Sequence, residues 1–377
     1  MGEQLHKRRL GRTEIMVTEI GIGGLGIISK KLPNREAGVQ TVRHALDLGV
    51  NWIDTARGYF DAENVIGDAI QGRDRQSFTL VSKSYLRTGS LAYRDLETSL
   101  ASLKVDYVDM YQVHHVQYQS ELEQVLAPKG ALDALETARK EGLVRHIGIT
   151  SHHTRVLARA LDTGRFDTVM FPFSPIERDG LNEVYDAAKR NDVGIIAMKV
   201  LAAGKLTSVE EAIQFVLAHD ISTCALGCTT TEHVDRDVAA AIAFHSLTPE
   251  QVDRLRKAEM KIEDKFCRRC RICELRCPMQ IPIADVFRCE DYLVLNATYA
   301  RNEYRALDKH VPDCIGCGEC EIACPYGLSV NDDMQRAHRR LTAGKFEDVS
   351  VNTLRKIGIY DIARKAYFAL GGRLPER

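Results

Sequence analysis

Long apolar runs are missing from this chain. No stretch approaches the roughly 20 consecutive apolar residues that cross a bilayer, and the opening MGEQLHKRRLGRTE has no apolar core behind its basic residues. Neither a membrane span nor a secretory signal is expected on that pattern, and the expected location is cytoplasmic. A surplus of either charge is missing too. With 51 Lys+Arg against 52 Asp+Glu, nothing in the balance calls for a nucleic acid or an acidic membrane, and small molecules are the expected partners. A glycine-rich dinucleotide fingerprint is also absent, since GIGGLGI lacks the required spacing and context. Cysteine is the residue not in short supply: eleven are present, and eight fall in two tight runs of a large chain. That clustering reads as thiolate ligands rather than as the disulfide frame of a small secreted domain.

From residue 19 onward, short β-branched or apolar runs alternate with helical patterns, as βα units of a parallel sheet do. Strands are predicted at 19–24, 51–56, 78–83, 108–114, 144–150, 168–174, 194–200 and 222–227. Eight such units close naturally into an α/β (β/α)8 barrel over residues 1–247. A doubly wound open sheet is the alternative, disfavoured by the missing fingerprint. A connecting helix is predicted over 248–264 and a small, mainly helical two-cluster ferredoxin-like domain over 265–330. The spacer in that domain carries a helical stripe, Val286, Cys289, Leu293, Ala297, Ala300, Tyr304 and Leu307, within an insertion spanning 283–308. Cys289 lies on the stripe and reads as a packed residue. The tail, 331–377, with DIARKAYFALGG, also has a helical pattern.

The two runs, CRRCRICELRCP and CIGCGECEIACP, share the spacing C-x2-C-x2-C-x3-C-P. This is the bacterial pattern of iron-sulfur ligation, in which the fourth cysteine of each run serves the other cluster. By that rule Cys267, Cys270, Cys273 and Cys324 hold one [4Fe-4S] centre, and Cys314, Cys317, Cys320 and Cys277 hold the second. Structural zinc is the alternative, but zinc sites usually pair two C-x2-C halves across a loop.

Four polar residues stand at predicted strand ends, where a barrel gathers its reactive groups: Asp54, then Tyr59 five residues on, Lys83 and His114. Singly, each has an ordinary structural reading as a helix cap, a solvated lysine or a satisfied histidine. Together they suit proton transfer. A nearby ammonium favours the phenolate of a tyrosine whose ordinary pKa is about 10. Asp54 would hold Lys83 charged, Tyr59 would pass a proton to a carbonyl oxygen, and His114 would aim that oxygen. Periodicity does not separate His114 from its neighbour His115.

The segments DTARGYFDAENVIG, VSK and VDMYQVH resemble the aldo-keto reductase family, a family of barrels that use a nicotinamide cofactor. The likeness runs over roughly residues 8 to 245, including LVRHIGITS, IIAMKVLAAGKL and ALGCTTTEHVDRDVAAA, and with the cysteine runs the chain resembles the ferredoxin-fused branch. The resemblance implies that Asp54, Tyr59, Lys83 and His114 are the catalytic four, selecting His114 over His115. It puts Ser151 near the nicotinamide amide, with His152, Met170, Met198 and Lys199 around it. It also puts Gly24 and Leu25 by the nicotinamide-side phosphates, and the segment from Gly227 to Asp237 beside the adenosine end, where a helix N-terminus suits an anion. Several positions depart from the family's commonest pattern: His152 replaces Asn, Met170 replaces Gln, and Met198 stands where an aromatic often stacks. Thr229 stands where a basic residue often meets a 2′-phosphate, and Asp237 replaces a frequent Asn, so NADP and NAD both stay open.

The expected function is reduction of an aldehyde or ketone, or oxidation of an alcohol, by hydride transfer. Nicotinamide gives up a hydride whereas each cubane passes single electrons, and no flavin motif joins the two modes. The clusters are therefore either a brace for the tail or an electron port served by a ferredoxin or flavodoxin partner. A non-catalytic redox or cofactor sensor is a third reading. Phe60, Tyr85 and Tyr118 are candidates for an apolar pocket lining.

Overall fold

The structure is a computed structural model that describes residues 4–28, 34–178, 183–244, 246–263, 266–293 and 297–343. The chain divides into two compact units, Met1–Glu259 and Met260–Arg377. The helix expected to connect the domains runs Pro249–Glu263 and carries the dividing line.

In the first unit, a two-stranded antiparallel hairpin, β1 (Lys7–Arg9) and β2 (Met16–Thr18), precedes eight barrel strands. These are β3 (Ile20–Gly23), β4 (Trp52–Asp54), β5 (Thr79–Ser84), β6 (Val108–Val113), β7 (Val144–Thr150), β8 (Thr168–Pro172), β9 (Gly194–Met198) and β10 (Thr223–Leu226). Each pairs in parallel with the next, and β10 pairs with β3, closing the barrel. The eight predicted strands are all present, within one or two residues of their expected bounds. Both faces of a barrel strand are buried, which is why stretches such as TVMFP and GIIAM read as apolar runs without alternation.

The barrel interior is filled by Trp52, Val81, Met110, Met170, Ile196 and Ala225, joined by Leu10 and Val17. Leu10 and Val17 flank or belong to the hairpin, so β1 and β2 supply side chains to the barrel core. The Trp52 indole is fully buried and lies across Gly21, where a Cβ would come within 2.3 Å of it. The interior is therefore packed, leaving the strand ends to build a site.

The described part of the second unit is mainly helical. Helices Ile283–Tyr292, Ala297–Arg305 and Val330–Thr342 enclose a core that includes Val286, Cys289, Ala300, Tyr304, Leu307 and Met334. The spacer stripe is thus carried by two helices, with Cys289 fully buried among apolar neighbours as expected. Arg288, also buried, is held by Asp285 at 3.0 Å and Glu303 at 3.5 Å. The first part of the expected helical tail is the helix Val330–Thr342; residues 344–377, with DIARKAYFALGG, lie outside the described residues.

Candidate functional site

The barrel site grows from three adjacent strand ends. Asp54 closes β4, Lys83 is the last residue but one of β5, and His114 follows β6. Parallel pairing of β4 with β5 and β5 with β6 sets these ends side by side. The Lys83 Nζ donates to Asp54 Oδ2 at 2.5 Å and to the Thr55 carbonyl at 2.8 Å, and both side chains are almost wholly buried. Burial pushes the Asp54 carboxyl up and the Lys83 ammonium down, while each charge opposes the shift in the other. Tyr59 sits in the turn after β4, half-buried, with Lys83 Nζ 5.2 Å from its ring centre.

The His114 ring meets Tyr59 edge-on at 5.6 Å and is stacked by Tyr85 at 4.1 Å. The His115 ring, on a left-handed residue (φ 57°), lies 4.9 Å from that of His152 instead. Of the two histidines, His114 is therefore the one beside Tyr59 and Lys83. Its Nδ1 is buried without a hydrogen-bond partner among the described residues. Burial, then Lys83 and Arg87, hold the imidazole well below its ordinary range, so it stays neutral.

That neutral state carries a pH signature. The unfolded chain binds a proton at this histidine below about pH 6.5, and the folded chain refuses it. The depressed pKa therefore contributes stability that is complete above that value and declines as pH falls toward the folded-state pKa. Urea midpoints of wild type should drop between about pH 6.5 and 5 more steeply than those of His114→Gln. Parallel pH dependences would show that the ring titrates freely.

The remaining expected positions lie along the same rim or just inside it. Gly24 follows β3 and its N–H donates to the Asp54 carbonyl at 2.6 Å, while half-buried Leu25 begins the next turn. A Cβ on Gly26 would collide with the Cys228 carbonyl at 2.6 Å, so this turn packs against the loop after β10. Ser151 follows β7, buried, and its Oγ accepts the His153 N–H at 2.7 Å. His152 is half-buried beside it. Met198 and Lys199 (φ 59°) are half-buried at the end of β9.

Gly227 is exposed, with open space where a Cβ would stand. Close by, Thr230 caps the helix Thr231–Ile242, and Thr229 Oγ1 lies 2.9 Å from His233 Nδ1. Two residues are engaged inward. Met170 is in the barrel core, offering its backbone carbonyl to Ser151 N at 3.2 Å. Asp237 is buried, with Oδ1 taken by Arg236 and Oδ2 3.5 Å from the Cys228 thiol.

In the second unit the eight run cysteines form no disulfide: Cys273 and Cys320 are buried, Cys317 is exposed, and Cys267, Cys270, Cys277, Cys314 and Cys324 are half-buried. Backbone N–H groups point at sulfur. Arg269 N lies 3.4 Å from Cys267 Sγ, Gly316 N 3.4 Å from Cys314 Sγ, and Ile281 N 3.4 Å from Cys277 Sγ. Burial pushes the Cys267 thiol up to about 12. Thiols gathered at that cost suit a bound cation that stabilises the thiolates, and the amides aimed at sulfur add to it. Among the described residues no group of three or more Cys, His, Asp or Glu side chains is gathered round a single metal-sized point.

The family model for the aldo/keto reductase family matches residues 19–212, more than half the chain. The chain belongs to the aldo-keto reductase family. A second model, a 4Fe-4S dicluster domain, matches residues 266–329, so this reductase is fused to a ferredoxin-type domain. It is 25% identical over 296 residues to L-galactose dehydrogenase of Arabidopsis thaliana, covering 66% of this chain and 92% of that one. It is 26% identical over 229 residues to the NADH-specific methylglyoxal reductase of Escherichia coli, covering 54% and 69%. Among solved structures, an aldo-keto reductase from Bacillus halodurans in its holo form superposes with a TM-score of 0.59 at 23% identity, covering 68% of this chain and 96% of that one. Another, from Klebsiella pneumoniae in complex with NADP and acetate, has a TM-score of 0.54 at 24% identity, covering 68% and 95%. At these identities the structural likeness establishes the fold.

Two residues of this aldo-keto reductase, Arg87 and Gln117, matter to the site without having been singled out by sequence, and a third, Tyr85, has a different part from the one expected. Arg87 donates to the His114 and His115 carbonyls, each at 2.9 Å, and pairs with Glu121, tying down the histidine turn. Gln117 Oε1 lies 3.4 Å from the His152 N–H and 3.5 Å from Ser151 Oγ. Tyr85, expected only as pocket lining, stacks on His114 and fills the space over Gly58, where a Cβ would come within 2.4 Å of its ring. Phe60 (φ 49°) and Tyr118 are half-buried nearby in sequence, Phe60 after Tyr59 and Tyr118 at the start of the helix Gln119–Leu126. No helix among the described residues is long and apolar enough to cross a membrane.

Proposed function

We propose that the protein reduces an aldehyde or ketone, or oxidises the corresponding alcohol, with NADPH or NADH, using Tyr59 as general acid and base. One observation carries the reading: a buried Lys83–Asp54 pair stands 5.2 Å from the Tyr59 ring, with a neutral His114 across it. When bound, the nicotinamide supplies or accepts the hydride. Asp54 orients Lys83 and balances its charge. Lys83, beside the phenol, favours release of the Tyr59 proton to a carbonyl oxygen. His114, neutral and held by Tyr85 and Arg87, donates a hydrogen bond that fixes that oxygen without itself giving up a charge.

The residues present suit a dinucleotide. The exposed Gly227 backbone leaves room for an anion to approach the loop after β10, and Ser151, His152, Met198 and Lys199 line other strand ends. Thr229 brings no cation to a 2′-phosphate, and Arg236 is already paired with Asp237, which supports NADH as well as NADPH. The cysteine runs would hold two [4Fe-4S] clusters, Cys267, Cys270, Cys273 and Cys324 on one and Cys314, Cys317, Cys320 and Cys277 on the other. The domain bounds 1–247, 248–264, 265–330 and 331–377 go with this reading.

A second route has its own support: Cys317 is exposed, and so are Ile272, Leu275, Ile315 and Ile322 on the same two runs. A ferredoxin or flavodoxin could deliver single electrons there. Anaerobically purified protein should consume NADPH or NADH against a panel of aldehydes and ketones at rates of about 1 per second or more. Absence of turnover with both nucleotides, together with substrate-dependent reoxidation of chemically reduced clusters, would favour the single-electron route.

A further inference from the structure

The two cysteine runs make the same turns with different residues. In the second run the backbone enters the left-handed region at Gly316 (φ 70°), Gly318 (φ 77°) and Gly327 (φ 62°). The matching positions of the first run are Arg269 (φ 58°), Arg271 (φ 60°) and Gln280 (φ 55°). The turns agree in detail, since the amide two residues after the leading cysteine lies 3.4 Å from its sulfur in both. Glycine reaches this region freely, whereas a Cβ opposes it. Room is not the reason for the glycines, because a Cβ on Gly316, Gly318 or Gly327 would meet nothing within 4 Å. The first run therefore needs something else to hold its turns.

The spacer helix Ile283–Tyr292 provides it. Arg269 is paired with Asp291 of that helix, and its guanidinium lies 5.4 Å from the Phe266 ring centre. Arg271 grips both oxygens of Asp285 through its two terminal nitrogens, each at 3.1 Å, and meets Glu274 at 3.1 Å. Glu274 in turn accepts the Ala284 N–H at 2.7 Å, tying the first run to the start of the same helix. The side chains of Arg269, Arg271 and Asp285 are 4%, 12% and 1% exposed, so the forks are fixed. Their positive charges are matched by Asp291, Asp285 and Glu274. What the arginines bring to the loop is thus geometry more than charge.

We propose that Arg269 and Arg271 are positioning residues: clamped by the spacer helix, they hold the first cysteine loop in the left-handed turns that glycine gives the second. The centre that takes Cys267, Cys270 and Cys273 then depends on that helix through the two arginines. The inference rests on the iron-sulfur reading above.

Two double variants test it in the full chain, Arg269→Ala with Arg271→Ala, and Arg269→Gly with Arg271→Gly. Both lose the same ion pairs, and they differ only in how easily the backbone turns left-handed. Anaerobic preparations are assayed for iron and sulfide per chain and by electron paramagnetic resonance after reduction. The alanine pair should lose about half the iron and show one centre in place of two, while the glycine pair keeps at least about three quarters. Equal iron in the two variants, whether both full or both depleted, overturns the proposal. Wild type without iron and sulfide would instead overturn the iron-sulfur reading itself.

Discussion

Tyr59→Phe should lower carbonyl reduction by about 10² to 10⁴-fold, the range in which a positioned proton donor contributes, while leaving nucleotide affinity nearly unchanged. The substitution removes one oxygen from a half-buried ring and keeps the ring itself, so its contacts with His114 and with Lys83 persist. Stability should therefore change by no more than about 1 kcal/mol. No neighbour replaces the lost proton. His114 is held neutral by burial and by two cations, so it has no imidazolium to offer at neutral pH, and Lys83 is committed to Asp54 and the Thr55 carbonyl. Steady-state kinetics with saturating nucleotide checks the outcome. Turnover within about threefold of wild type would remove Tyr59 from the chemistry, since a general acid is worth far more than that. A variant that loses kcat while keeping its KM would place the missing interaction in the transition state.

The barrel was legible because its strands are short, largely apolar or β-branched runs, each followed by a helical pattern with its own stops, so eight β-rich runs could be counted directly. Asp54, Lys83 and His114 could be singled out because they are polar residues at the ends of those runs. Features that depend on distant contacts were not legible. Nothing in YLRTG announces that Arg87 reaches the carbonyls of His114 and His115, 27 and 28 residues on. The hairpin β1–β2 has three residues in each strand and exposed positions on both, too short for a period to show. Met170 and Asp237 were expected from resemblance at the nucleotide. The barrel core and the Arg236–Cys228 contacts respectively engage them, and that engagement follows from neighbours that the local sequence does not mark. In the cysteine runs the spacing marks the candidate ligands, while the left-handed turns of the first run were hidden because arginine is not a turn residue.

Lys83→Met should cost both activity and stability, and the two losses can be separated. Lys83 and Asp54 are about 1% and 3% exposed, so removing the ammonium leaves a carboxyl buried without its partner, which typically destabilises by about 3–5 kcal/mol. The Asp54 carboxyl is already pushed up by burial, and loss of Lys83 removes the main opposing influence. An acid whose pKa is raised on folding binds its proton more tightly in the folded state, so the variant should lose further stability as pH rises and regain it as pH falls. Urea midpoints measured across that range against wild type check the sign; a deficit relative to wild type that shrinks as pH rises would contradict it. Replacing both partners, Lys83→Met with Asp54→Leu, removes the stranded carboxyl and should recover most of the stability, because two apolar groups of similar volume need no compensation. Carbonyl reduction should stay absent in the double variant, since no ammonium then stands beside Tyr59. A stable double variant that reduces carbonyls at the wild-type rate would leave the pair as a purely structural tie between β4 and β5.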